Sequence, residues 1–207
     1  MKVSQLYKPA CFFASVGPLV YLLFLVWRYT QGDTGVLSAD PGKEIVHFLG
    51  QWALVLLLVT LSVSPFQFFL KVRVFPLRRM LGLFSFFYAA LHLTAYCVFL
   101  LELNFSEIWS EVIERPYITV GALALFGMFP LAVTSTRGMQ RRLRHNWQRL
   151  HQLIYPVAIL AIIHFIWQTR SDFTEPLMYS AVLALLLSFR VYRSTRDRPV
   201  KSVSVKA

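Results

Sequence analysis

Between Arg149 and Arg170 the chain reads LHQLIYPVAILAIIHFIWQT, residues 150–169, with no formal charge. Crossing a hydrocarbon core of ~30 Å as a helix takes about 20 residues at ~1.5 Å each, and this run has that length. It does not alternate apolar with polar residues, as a barrel strand must. Outward from it, charged residues cut the rest of the chain into similar pieces. Lys8 and Arg28 enclose 19 uncharged residues, Glu44 and Lys71 enclose 26, Arg79 and Glu102 enclose 22, and Arg115 and Arg137 enclose 21. A last run, between Glu175 and Arg190, has only 14. It spans if Arg190 and Arg193 extend their side chains to the headgroups. The reading is an all-α, six-helix transmembrane bundle with spans at about 9–28, 46–66, 80–101, 116–136, 150–169 and 176–193. It forms a single domain over 1–207, with 194–207 as a mobile basic tail.

Composition agrees. Of 207 residues, 57% are hydrophobic and 15% charged, against about 45–50% and ~25% in soluble domains. Disorder, a collagen-like fibre and a disulfide scaffold are excluded on the same figures. The first run is expected to be a span rather than a cleavable signal peptide, because it carries Pro18 mid-span and lacks a small-x-small cleavage site.

Charge placement sets the orientation. The stretches 1–8, 71–79, 137–149 and 190–207 hold 17 of the 21 Lys and Arg residues, whereas 28–44, 102–115 and 170–175 hold nine of the ten acids. Short Lys/Arg-rich loops stay in the cytoplasm, so both termini are expected to be cytoplasmic. This distribution also accounts for the net charge of +11 without nucleic acid as a partner, since the cations form no continuous stripe. The partner of the outer faces is membrane lipid.

Intramembrane ionisable residues are where function is sought. The first five runs contain no Asp, Glu, Lys or Arg, which leaves histidine. His92 and His164 fall at about 18 Å and 21 Å from the inner boundary on two different spans. Two neutral imidazoles at matching depth can ligate both faces of one haem iron, filling its axial positions so that it passes electrons rather than binding oxygen. Ser85, Tyr88, Ala89, Ala95 and Tyr96 lie at helical spacing from His92, and Val157, Ala161, Trp167 and Gln168 from His164. They are expected to make room for a macrocycle or pack on it. His151 lies 13 residues before His164, on a different face, at a separation that suits a second redox centre. His47 reads as interfacial and His145 as solvated. The opposing reading makes every histidine a packing or hydrogen-bonded residue of a cofactor-free scaffold or assembly factor. No glycine-rich dinucleotide motif, no metal-ligand cysteine spacing and no hydrolytic triad is present. Cys11 and Cys97 read as small apolar fillers, Trp52, Trp147 and Trp167 as an aromatic belt, and no catalytic residue is expected.

The segments HFLGQWAL from His47, RRMLGL from Arg78, YAALH ending at His92 and WQRLHQLIY from Trp147 resemble those of the MsrQ (YedZ) family, haem-binding membrane subunits of the bacterial periplasmic methionine-sulfoxide reductase system. That family lies within the wider ferric-reductase-like transmembrane group. The similarity covers about residues 6–195. It implies an inner-membrane, multi-pass protein that binds haem b through His92, His151 and His164, and also binds FMN. It further implies that electrons arrive from a cytoplasmic flavin reductase or quinone and leave to a periplasmic molybdopterin-dependent methionine-sulfoxide reductase subunit. Related ferric reductases and NADPH oxidases stack two haems between histidine pairs. Here the third span offers only His92, so the resemblance gives one haem, with His151 as the candidate ligand of a second haem iron. The arginines of the inner loops (Arg78, Arg79, Arg141, Arg142, Arg144) have the chemistry to hold a phosphate, but topology already explains them.

Overall fold

The computed structural model describes residues 4–71 and 75–196, which are almost entirely helical and contain no strand. The helices in chain order are α1 (Ser4–Thr30), α2 (Pro41–Leu70), α3 (Phe75–Ala95), α4 (Phe105–Glu114), α5 (Pro116–Val133), α6 (Arg137–Leu143), α7 (His145–Leu150), α8 (Ile154–Gln168) and α9 (Thr174–Arg196). Six segments are long and apolar enough to cross a membrane: Tyr7–Thr30, Thr34–Phe69, Leu77–Leu100, Pro116–Val133, His145–Gln168 and Thr174–Arg196. The six-helix reading therefore holds. The short sixth run is rescued by helix continuing past Arg190 and Arg193, and of the expected tail residues 194–196 still belong to α9. Residues 197–207 lie outside the described residues. Two connections differ from expectation, because α4 occupies an acidic loop and α6 and α7 occupy the basic 137–149 stretch.

Local chemistry sets the ends. The Asp40 side chain accepts from the Lys43 N–H at 3.1 Å and Pro41 opens α2, a cap followed by a residue whose missing donor costs nothing there. Thr136 caps α6 through the Met139 N–H. Asp172 accepts from Thr174 at the start of α9, and those hydrogen bonds hold its carboxyl below its ordinary range.

Two apolar clusters share α2. One joins α1, α2 and α3 around Leu22, Leu49, Leu56 and Leu81; the other joins α2, α5, α8 and α9 around Leu57, Met128, Ala158 and Leu183. The outward faces are apolar as well: Phe13, Phe126 and Leu185 are 70%, 74% and 72% exposed. Such a surface suits hydrocarbon rather than water. Polar side chains tie helices from within. Ser85 Oγ donates to the Ala53 carbonyl at 2.8 Å, fixing the antiparallel register of α2 against α3. The fully buried Tyr88 hydroxyl accepts from the Leu19 N–H at 3.0 Å and donates to the Ser15 carbonyl at 2.9 Å. These are the two groups that an uninterrupted α1 would join to each other, so Tyr88 is inserted into the helix ladder beside Pro18.

Candidate functional site

His92 lies in the last turn of α3, just before a π-helical turn at Tyr96–Leu100; such turns recur at functional sites. Its Nδ1 is 2.8 Å from the Val46 carbonyl of α2. His164 lies near the end of α8, and its Nδ1 is 2.7 Å from the Tyr117 carbonyl in the first turn of α5. A carbonyl only accepts, so each Nδ1 carries the proton and each neutral ring keeps its lone pair on Nε2. That is the form in which imidazole binds a metal, with a carbonyl behind it fixing the tautomer and orientation. Among the described residues neither Nε2 has a hydrogen-bond partner.

The two rings come together between α3 and α8, with centroids 6.2 Å apart and planes at 77°, an edge-on arrangement. A metal–imidazole bond is about 2 Å and a ring centre lies about 1 Å behind its nitrogen, so two rings on opposite sides of one metal have centres about 6 Å apart. Among the described residues no group of three or more His, Cys, Asp or Glu forms a metal cage. The pair offers two neutral imidazoles at that separation, and any further ligands of a metal there would come from elsewhere. A macrocycle iron, with four nitrogens of its own, fits this donor set.

Each ring also rests on a glycine, His92 on Gly50 and His164 on Gly121. Sequence reasoning missed these two glycines as partners, together with the carbonyls of Val46 and Tyr117, because only the packed register of two helix pairs brings them to the rings. The acidic end adds a network it also missed. Tyr96 donates to Glu111 at 2.8 Å, Glu111 pairs with Arg115 at 2.9 Å, and Arg115 donates to the Tyr117 hydroxyl at 3.1 Å. This links α4 to the residue whose carbonyl holds His164.

Some expected neighbours are elsewhere. Ser85 and Tyr88 do not line a space beside His92, because their hydroxyls are consumed by the contacts to α2 and α1. Trp167 is 57% exposed and points outward. Gln168 bonds His47 instead, its Nε2 donating to Nδ1 at 3.0 Å. This gives His47 the opposite tautomer, with the proton on Nε2, where it cannot bind a metal while neutral.

His151 is at the other end of the same span as His164, in a 3-10 turn at His151–Leu153 that precedes α8. Its ring stacks on Trp147 at 3.9 Å and 27°, and its Nδ1 is 3.1 Å from the Trp147 carbonyl. Its Nε2 is buried and makes no hydrogen bond of normal geometry, although the Leu131 backbone lies close to the ring. Trp147 is anchored by its own Nε1–H donating to the Thr134 carbonyl at 3.0 Å. His145 is exposed at the start of α7.

Comparison with known proteins identifies the family. Residues 48–162 match the family model described as ferric reductase like transmembrane component. A protein of Xanthomonas euvesicatoria pv. vesicatoria, named protein-methionine-sulfoxide reductase heme-binding subunit MsrQ, is 46% identical over 186 residues, covering 89% of this chain and 85% of that protein. A protein of the same name from Xanthomonas campestris pv. campestris (strain B100) is 46% identical over 192 residues, 92% and 88% of the two chains. One from Rhodospirillum rubrum is 43% identical over 180 residues, 86% of each. No solved structure matches the chain. Six apolar helices, in a chain matching a transmembrane component, make this a multi-pass protein of the bacterial inner membrane. The chain belongs to the ferric-reductase-like transmembrane family and, within it, to the MsrQ subunits of protein-methionine-sulfoxide reductase.

Proposed function

We propose that this chain is the haem b-containing electron-transfer subunit of a methionine-sulfoxide reductase system, with His92 and His164 as the two axial ligands of one haem iron. The observation that carries the reading is the imidazole pair, 6.2 Å apart, each ring held by a backbone carbonyl at Nδ1. When bound, a haem supplies one-electron oxidation and reduction at its iron. The Nε2 lone pairs of His92 and His164 would hold the group, the Val46 and Tyr117 carbonyls would fix the two rings, and the apolar clusters on either side would keep water out.

His151 is the proposed ligand of a second haem iron, supported by the burial of its Nε2 and by the Trp147 carbonyl at its Nδ1. The basic end, including both termini, faces the cytoplasm on this reading. FMN, a cytoplasmic flavin reductase or quinol as donor, and a periplasmic molybdopterin methionine-sulfoxide reductase as acceptor enter on the family resemblance alone.

The test is a reduced-minus-oxidised spectrum of purified protein. Wild type should show a haem b spectrum, lost in both His92→Ala and His164→Ala, while His151→Ala keeps the contribution of the pair. Normal spectra in His92→Ala and His164→Ala would remove the axial assignment. Colourless wild-type protein that still co-purifies with a periplasmic partner would favour the scaffold reading.

A further inference from the structure

The same device holds both histidines. His92 donates to the carbonyl of Val46, and the residue four positions on in α2 is Gly50; His164 donates to the carbonyl of Tyr117, and the residue four positions on in α5 is Gly121. In an α-helix the carbonyl of residue i points at residue i+4, whose N–H it accepts. A side chain at i+4 therefore stands beside that oxygen and blocks approach from the flank. Glycine leaves the flank open.

The space in question is small and occupied by the rings. A Cβ on Gly50 would lie 2.9 Å from both Cε1 and Nδ1 of His92. A Cβ on Gly121 would lie 2.7 Å from Nδ1 and 2.8 Å from Cε1 of His164. These are closer than carbon packs against a ring, and the obstacle is rigid imidazole rather than the end of a flexible chain. Either ring can make room only by leaving its carbonyl, since the hydrogen bonds are already 2.8 and 2.7 Å long. Small residues on membrane helices ordinarily let two backbones approach; here they let a side chain reach a backbone acceptor that is already engaged within its helix.

We propose that Gly50 and Gly121 are positioning residues that open the Val46 and Tyr117 carbonyls to the imidazoles. They thereby fix the Nδ1–H tautomer and aim both Nε2 lone pairs at a shared iron. This rests on the ligand assignment above and goes beyond it: the bundle aims its ligands through two matched carbonyl–glycine cradles on α2 and α5, without any carboxylate behind the rings.

Other glycines of the same bundle provide the controls. A Cβ at Gly82 would meet only Thr60 Cγ2 at 3.7 Å, an ordinary contact. A Cβ at Gly127 would lie 2.6 Å from Val157 Cγ2, between the same two helices that carry Tyr117 and His164, but meets no imidazole. Gly127→Ala therefore reports the packing cost of crowding α5 against α8 without disturbing a ring.

The experiment compares Gly50→Ala, Gly121→Ala, Gly82→Ala and Gly127→Ala by haem retained on purification, by the low-spin or high-spin signature of the oxidised protein, and by helical content. The expected result is that Gly50→Ala and Gly121→Ala lower haem retention by about 10–100-fold, the usual effect of removing an outer partner of a metal ligand, or turn the iron high-spin. Gly82→Ala and Gly127→Ala should keep the wild-type signature, the latter with reduced thermal stability. Unchanged retention and spin state in Gly50→Ala and Gly121→Ala, with the signal still lost in His92→Ala, would overturn the cradle while sparing the ligands. An equal loss in Gly127→Ala would also overturn it, by reducing the effect to packing. A signal that survives His92→Ala and His164→Ala instead sinks the ligand assignment itself.

Discussion

Tyr88→Phe separates helix packing from cofactor binding at a position one helical turn from His92. The hydroxyl stands between the Leu19 N–H and the Ser15 carbonyl, at 3.0 and 2.9 Å, and the side chain is fully buried. Removing it deletes two hydrogen bonds. At about 0.5–1.5 kcal/mol each that amounts to roughly 1–3 kcal/mol in a soluble core. Within a membrane, interhelical hydrogen bonds average about 0.6 kcal/mol, because the separated helices find other partners, so the expected loss is about 1 kcal/mol. Unfolding of the detergent-solubilised protein, followed by helical circular dichroism, measures it. The haem band should keep its position and intensity, because the Tyr88 hydroxyl is spent on α1. No loss of stability would mean that α1 closes its own ladder once the hydroxyl is gone. A shifted or missing haem band would mean that Tyr88 belongs to the cofactor site, and the assignment of its contacts would be wrong.

Three further outcomes follow from the same geometry. His47→Ala should leave the haem spectrum intact, since the ring is paired with Gln168 in the tautomer that offers no lone pair at Nε2; loss of the spectrum contradicts this. Glu111→Gln removes the ion pair with Arg115 but retains an acceptor for Tyr96, and with Arg115 about half exposed the cost should stay below about 1 kcal/mol in a melting experiment. Trp147→Phe keeps a ring against His151 while losing the bond to Thr134; it should cost about 1 kcal/mol and leave the signal of the His92–His164 pair unaltered.

The spans were legible because burial in lipid requires long uncharged runs, and charged residues marked their limits directly. The sixth span shows where that rule falls short: Arg190 and Arg193 lie within α9, so charge ended the apolar run before the helix ended. The matching height of His92 and His164 on their two helices was legible too, because height follows from counting residues along a helix of known rise, and their rings lie 6.2 Å apart. Their neighbours were not. Helical spacing put Ser85 and Tyr88 near the face of His92, but spacing does not say which helix that face meets, and both hydroxyls turned out to bind backbone carbonyls of α2 and α1. Gly50 and Gly121 were invisible for the same reason, since their meaning depends on rings contributed by other helices. The helix α4 was hidden by its acids, although apolar residues at 105, 108, 109, 112 and 113 carry helical periodicity. The 3-10 turn at His151 changes the rotation along the span, which a uniform helical count from His164 does not register.

The most direct test of the shared-iron claim is pulsed electron paramagnetic resonance of the oxidised protein carrying isotope-labelled histidine. A single low-spin iron coupled to two histidine nitrogens in the wild-type protein, with the iron signal lost in His92→Ala and in His164→Ala, is the predicted result. A high-spin iron, or one whose histidine couplings persist in both variants, contradicts it.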